Sequence, residues 1–190
     1  MARYAVFIDG GYVRKVLQAF GEPRISYQKL SDYFANGDER LRTYYYDCPP
    51  FRSRVPTAEE IERANRFHGF ITALEDNVSR CQVRLGRLAR RILPDGTERF
   101  EQKMVDVLLT VDLVRLSCER QIQRAVIIAG DSDFVPAIQV ARDAGTIVQL
   151  YHGMTPLPHE ELLHACDDRI VIDEKLIEAV KVSPAENHHR

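Results

Sequence analysis

The sequence predicts an α/β fold with a mainly parallel central sheet and helices on both faces. Three observations carry that expectation. Residues 4–8 and 125–129 are short, continuous apolar runs, the pattern of strands buried on both faces. Stretches with helical periodicity alternate with such strands, as parallel crossovers require. The chain has 190 residues, 45% hydrophobic and 28% charged, enough for one domain with a substantial core.

Residues 3–9 read as the first strand, and Gly10-Gly11 as a turn into a helix over 12–20. Val13, Val16, Leu17 and Phe20 share one face of that helix, and Gly21 and Pro23 stop it. Ser26 is an N-cap for a helix running to about residue 35. A tyrosine-rich strand follows over 41–46, then a loop over 48–57 holding Pro49, Pro50 and Pro56. Thr57 with Glu60 fits a capping box for a helix to about residue 75. Residues 82–93 read as a strand, and Pro94-Asp95-Gly96 turns it into 97–101, an inserted β-hairpin.

Residues 102–118 form a helix apolar almost all round, expected to be buried on most sides. The strand over 125–129 leads to a helix over 134–144 closed by Gly145. A strand over 146–151, a short helix near 159–165, a strand over 169–172 and a helix from Asp173 complete the pattern. Residues 1–182 are read as one domain, with a core over 3–152 and an extension over 153–182; residues 183–190 are read as a frayed tail.

The net charge of −2 gives no argument from bulk charge for nucleic acid or membrane. Its distribution is less even. Residues 80–91 carry Arg80, Arg84, Arg87, Arg90 and Arg91 with no acid, while the chain is acid-rich from Pro158 onward. A basic segment beside an acidic site can hold a polyanion over metal. Cys48, Cys81, Cys118 and Cys166 form no C-x-x-C pair. No signal-peptide pattern precedes the first strand, and no apolar run reaches the roughly 18 residues of a membrane span. These features lead us to expect a reduced, cytoplasmic protein with buried thiols and no membrane partner. His152, His159, His164 and Cys166 match no standard zinc spacing.

The chemistry-bearing residues are aspartates. The apolar run of the first strand ends in Asp9, and that of residues 125–129 ends in Gly130-Asp131-Ser132-Asp133. Ligands of parallel sheets sit beyond the carboxyl ends of strands. Asp106 lies in the apolar helix, where a lone acid is costly to bury. Lys103, one turn earlier, can offset its charge. Asp112 lies about 120° further round the same helix, so it is better paired with Arg115 or set behind the site. Gathering Asp9, Asp106, Asp131 and Asp133 at one edge would be strongly repulsive without a cation. Their hard oxygens suit Mg²⁺ or Mn²⁺. Plain structural roles compete for each piece: a strand-to-helix turn for Asp9, a helix N-cap for Asp133, an ion pair with Lys103 for Asp106. Tyr44, Tyr45 and Tyr46 belong to core and sheet, or one of them stacks a base.

The segments Val6–Tyr12, Gln102–Asp112 and Ile128–Pro136 resemble, in order and approximate spacing, the three signatures of NYN domains, which are PIN-like nucleases. The nearest resemblance is to the LabA-like branch. It implies a PIN-like, three-layer α/β/α sandwich, RNA as partner, RNA cleavage, and an acidic pocket for Mg²⁺ or Mn²⁺. By motif position, Asp9, Asp106, Asp131 and Asp133 carry over as the acidic ligands, and Lys103, Asp112 and Ser132 as supporting residues. Many members carry Asn where this chain has Tyr12, and Gly where it has Met104. A homodimer is a further expectation, since PIN-like domains commonly dimerise. The reading is a metal-dependent endoribonuclease using an acidic two-metal site, with Arg84, Arg87 and Arg90 on backbone phosphates. A non-catalytic RNA- or protein-binding regulator is the alternative. Another Mg²⁺-dependent phosphohydrolase is a third: Asp131-Ser132-Asp133 has the Asp-x-Asp form of Toprim and haloacid-dehalogenase sites. The latter set it after the first strand, where Gly11 takes the second acid's place.

Overall fold

The computed structural model describes residues 1–183; the rest of the expected tail, 184–190, lies outside the described residues. The side chains of Ala89, Arg91, Arg99, Glu101, Gln102 and Lys103 are likewise outside the description. The described residues form eight strands and seven helices. They are β1 (Arg3–Asp9), α1 (Gly10–Gln18), α2 (Tyr27–Tyr33), β2 (Glu39–Asp47), α3 (Ala58–Asn77), β3 (Cys81–Leu85), β4 (Arg87–Ile92), β5 (Glu98–Lys103), α4 (Val105–Cys118), β6 (Arg124–Ile128), α5 (Val135–Asp143), β7 (Ile147–His152), α6 (Glu160–Ala165), β8 (Asp168–Val171) and α7 (Glu174–Val180). A 3₁₀ turn, Ser132–Phe134, precedes α5.

Six strands form one sheet in the order β3-β2-β1-β6-β7-β8, and every pairing in it is parallel. The chain winds outward from β1 on one side and from β6 on the other. The strand order therefore reverses between β1 and β6, where open α/β sheets hold their ligands. β8, from the segment after residue 152, completes this sheet.

Alternation along β1 explains the layers. Tyr4, Val6 and Ile8 face a core made with Val13 and Val16 of α1, Leu30 of α2, Ile71 and Leu74 of α3, and Ile177 of α7. Ala5 and Phe7 face a second core made with Leu109 and Leu113 of α4, Ile138 of α5 and Leu162 of α6. Both faces are covered, so Tyr4 to Ile8 are all buried and the strand reads as an unbroken apolar run.

Four expectations change. The strand expected over 82–93 is two strands: β3 joins the main sheet, the chain breaks at Gly86, and β4 pairs antiparallel with β5 in a separate hairpin. Gly10-Gly11 is not a turn but the start of α1, because Asp9 already caps that helix. The helix expected from residue 102 begins at Val105, after β5 runs to Lys103 and Met104 turns the chain at φ 76°. Its burial is one-sided: Val107 and Val111 are 59% and 54% exposed. Thr57 and Glu60 do form the reciprocal capping box. Of the thiols, Cys48 and Cys166 are buried, Cys81 is half-buried and Cys118 is exposed; all four are free. No helix among the described residues is long and apolar enough to cross a membrane.

Candidate active site

Asp9 ends β1, and its Oδ1 accepts the Tyr12 amide at 3.1 Å, so one carboxylate oxygen caps α1. Across the strand reversal, Gly130-Asp131 follows β6. Asp131, not Asp133, is the cap there: its Oδ1 accepts the Asp133 amide at 3.0 Å. Asp106 arrives in the first turn of α4. Asp9 and Asp106 are half-buried, while Asp131 and Asp133 are exposed. The site is thus an open edge rather than a closed cavity, a shape that admits a polymer.

Electrostatics ties the four acids together. Burial pushes the Asp9 carboxyl up from its ordinary value; the Asp106 and Asp47 charges add to this, and the Tyr12 and Gly11 amides oppose it. Burial also raises Asp106, and the charges of Asp131 and Asp133 raise it further. None of the four makes an ion pair among the described residues. As the side chains stand, no group of three or more His, Cys, Asp or Glu among the described residues is gathered closely enough to hold an ion. The donor set itself, four carboxylates with neither cysteine nor histidine, fits a hard divalent cation.

Asp112 lies elsewhere. It is buried, its Oδ2 accepts Tyr46 Oη at 3.0 Å and Arg84 Nε at 3.2 Å, and its Oδ1 accepts Arg115 Nη2 at 3.3 Å. The turn of the helix that separates it from Asp106 sends it between α4 and the edge of the sheet. Arg84, expected on phosphate, is held by this carboxylate and sits 6.0 Å from the Tyr44 ring centroid. Arg87 reaches Met104 Sδ at 3.5 Å, and Arg90 pairs with Glu98. The Lys103 side chain, expected beside Asp106, lies outside the described ones. Ser132 opens the 3₁₀ turn between the two acids. Tyr44, Tyr45 and Tyr46 are all buried, which removes them as stacking surfaces.

Two residues were missed from sequence. Asp47 ends β2 as Asp9 ends β1, and it is 1% exposed. It accepts the Cys48 amide at 2.7 Å, Tyr45 Oη at 3.2 Å and Arg14 Nη2 at 3.0 Å, with a second contact to Arg14 Nη1. That carboxylate in turn raises the Arg14 guanidinium above its ordinary value. Asp47 is therefore neutralised beside the open edge. The signal was present: Tyr44-Tyr45-Tyr46-Asp47 is another apolar strand ending in an acid. Tyr12, at the position where many NYN domains carry Asn, is structural here. Its Oη donates to Pro156 O at 3.0 Å and accepts the Gly153 amide at 3.1 Å, and burial raises its pKa to about 12. It ties α1 to the loop after β7.

The model of the NYN domain matches residues 3–173, nine-tenths of the chain. The chain belongs to the NYN domain family. NYN domains are part of the PIN-like nuclease superfamily and are generally ribonucleases that act with divalent metals. No curated protein matches this NYN chain. Among solved structures, a protein of unknown function from Vibrio parahaemolyticus is similar, with a TM-score of 0.63 and 17% identity, over 95% of this chain and 96% of that one. At that identity the likeness speaks for the fold, a three-layer α/β sandwich of the PIN-like kind.

Proposed function

We propose that this NYN domain is a metal-dependent endoribonuclease of the LabA-like branch. One observation carries the reading: β1 ends in Asp9 and Asp131 follows β6 across the reversal of strand order, and the charge of Asp106 acts on Asp9 while those of Asp131 and Asp133 act on Asp106, with no ion pair to any of the four among the described side chains. Asp9 and Asp131 would hold a first Mg²⁺ or Mn²⁺, with Asp106 and Asp133 completing the pocket directly or through water. A bound ion supplies an activated water and stabilises the leaving oxygen of a phosphodiester. The protein's part is positional. The amides of Tyr12 and Asp133 each fix one oxygen of Asp9 and Asp131. The open edge admits a strand without threading it.

The test is cleavage of labelled single-stranded and structured RNA in Mn²⁺, Mg²⁺ or EDTA, comparing wild type with Asp131→Asn. Metal-dependent cutting that leaves 5′-phosphate ends and disappears in the variant is expected. Cutting retained by a folded Asp131→Asn protein would remove the site from the reaction. The separation of the acids as their side chains stand favours a second reading, a regulatory RNA-binding module. RNA binding by metal-loaded wild type with no turnover on any substrate would select it.

A further inference from the structure

The β4–β5 hairpin grows directly from the site. Its base pairs Arg87 with Lys103, three residues before Asp106, and three pairs further out Arg90 stands opposite Phe100. At about 3.4 Å per residue, that places Phe100 roughly 10 Å from the hairpin base. Leu88 packs against the main core and seats the hairpin. The loop after β2 leaves from Asp47 at the same sheet edge and brings Phe51 against Phe100, ring centroids 4.8 Å apart at 51°. The Arg90 guanidinium lies 5.8 Å from the Phe51 centroid. Phe100 stays 44% exposed, Arg90 is exposed beside the pair and also bound to Glu98, and Arg52 and Arg54, which follow Phe51 in the chain, are exposed.

An exposed ring packed on a half-buried one, with a guanidinium on the pair and two more arginines next along the chain, suits a ligand that is flat and apolar on its face and anionic at its edge. A nucleobase on its phosphodiester backbone has that chemistry, and base–aromatic stacking tolerates any base. A paired base inside a helix has both faces covered and cannot use such a surface. We infer that Phe51 and Phe100 form a stacking platform for an unpaired base next to the cut, flanked by phosphate contacts from Arg52 and Arg54, and that the substrate is single-stranded there. The choice of RNA rests on the nuclease reading above; the platform itself rests on these rings.

The test uses a heptanucleotide RNA with one 2-aminopurine, single-stranded or annealed to its complement, in Ca²⁺, with Mn²⁺ cleavage followed in parallel. Wild type should bind the single strand more tightly than the duplex and quench the fluorophore. Phe100→Leu should abolish the quench and weaken single-strand binding about tenfold while leaving duplex binding unchanged. Phe51→Leu should act alike, and Phe51→Tyr should keep the quench. Circular dichroism establishes that each variant is folded. Unchanged affinity and quench in the folded leucine variant or variants, or a wild-type preference for duplex, overturns the platform even if cleavage persists. Quenched binding without cleavage keeps the platform and removes the nuclease reading. If wild type neither binds nor cleaves any RNA, both fail.

Discussion

Gly130, with Ala129, separates β6 from Asp131, and its substitution by alanine meets a tightly packed ring. A Cβ there would stand 2.4 Å from Tyr12 Cε2 and 2.5 Å from Cδ2, about 1 Å inside normal carbon contact. The ring cannot simply move. Its hydroxyl is held by the Gly153 amide and the Pro156 carbonyl, and its body is 7% exposed. Overpacking of this kind costs about 1–3 kcal/mol, and losing one of the two hydrogen bonds adds about 1 kcal/mol. Gly130→Ala should therefore lose about 2–4 kcal/mol. For a chain of this size that is a fall in Tm of roughly 5–15 °C by calorimetry. Tyr12→Ala opens the space, so the double variant should lose at least about 1 kcal/mol less than the sum of the singles. Additive losses, or a Gly130→Ala protein melting within about 2 °C of wild type, would refute the contact argument.

The raised Asp9 and Asp106 carboxyls give a signed pH dependence. A carboxyl raised in the folded state binds protons more tightly folded than unfolded, so its contribution falls as pH rises from about 3.8 through the raised folded value. Asp9→Asn keeps the cap and removes the charge, so the metal-free variant should melt above metal-free wild type at pH 7, with the gain shrinking toward pH 4; an equal gain at both pH values would contradict this. Mn²⁺ at a hundred times its dissociation constant should stabilise wild type by about 2.7 kcal/mol, roughly 5–10 °C in a thermal scan, and should not shift Asp131→Asn. Asp112→Asn weakens the hold on two partly exposed arginines and should cost about 1–3 kcal/mol in urea unfolding with an unchanged slope, below the cost of breaking a fully buried pair. The Mn²⁺ response of that variant should survive, because Asp112 stands apart from the acidic edge.

Elements with a local cause were legible in the sequence. β1 and β6 announce themselves as apolar runs because both their faces are covered, and the Ser26 and Thr57 caps are local hydrogen bonds. Tertiary causes were not legible. The break at Gly86 depends on β3 having the edge of β2 to join, while β4 can pair only with β5. The start of α4 at Val105 depends on the left-handed turn at Met104, where no glycine signals it. Arg84 reads as one of a run of free cations until Tyr46 and Asp112 are seen across the sheet edge from it.

The aspartates are of two kinds, and burial is not what divides them. Asp47 and Asp112 are the most buried, yet each has arginine on it and hydroxyl or amide donors besides, so neither has electrostatic need of an ion. Asp9 and Asp106 are less buried, and among the described side chains each has another carboxylate's charge rather than a cation acting on it. Strand ends alone would place Asp9, Asp47 and Asp131 together as candidate ligands. Arg14, one turn into α1 from Asp9, takes Asp47 out of that set. Gly10 makes this pairing possible: a Cβ there would come within 2.4 Å of Tyr45 Oη and 2.8 Å of Asp47 Oδ2. The glycine after Asp9 thus lets α1 approach β2 closely enough for Arg14 to neutralise one acid, and the acids left without an ion pair among the described side chains are those that face the open edge.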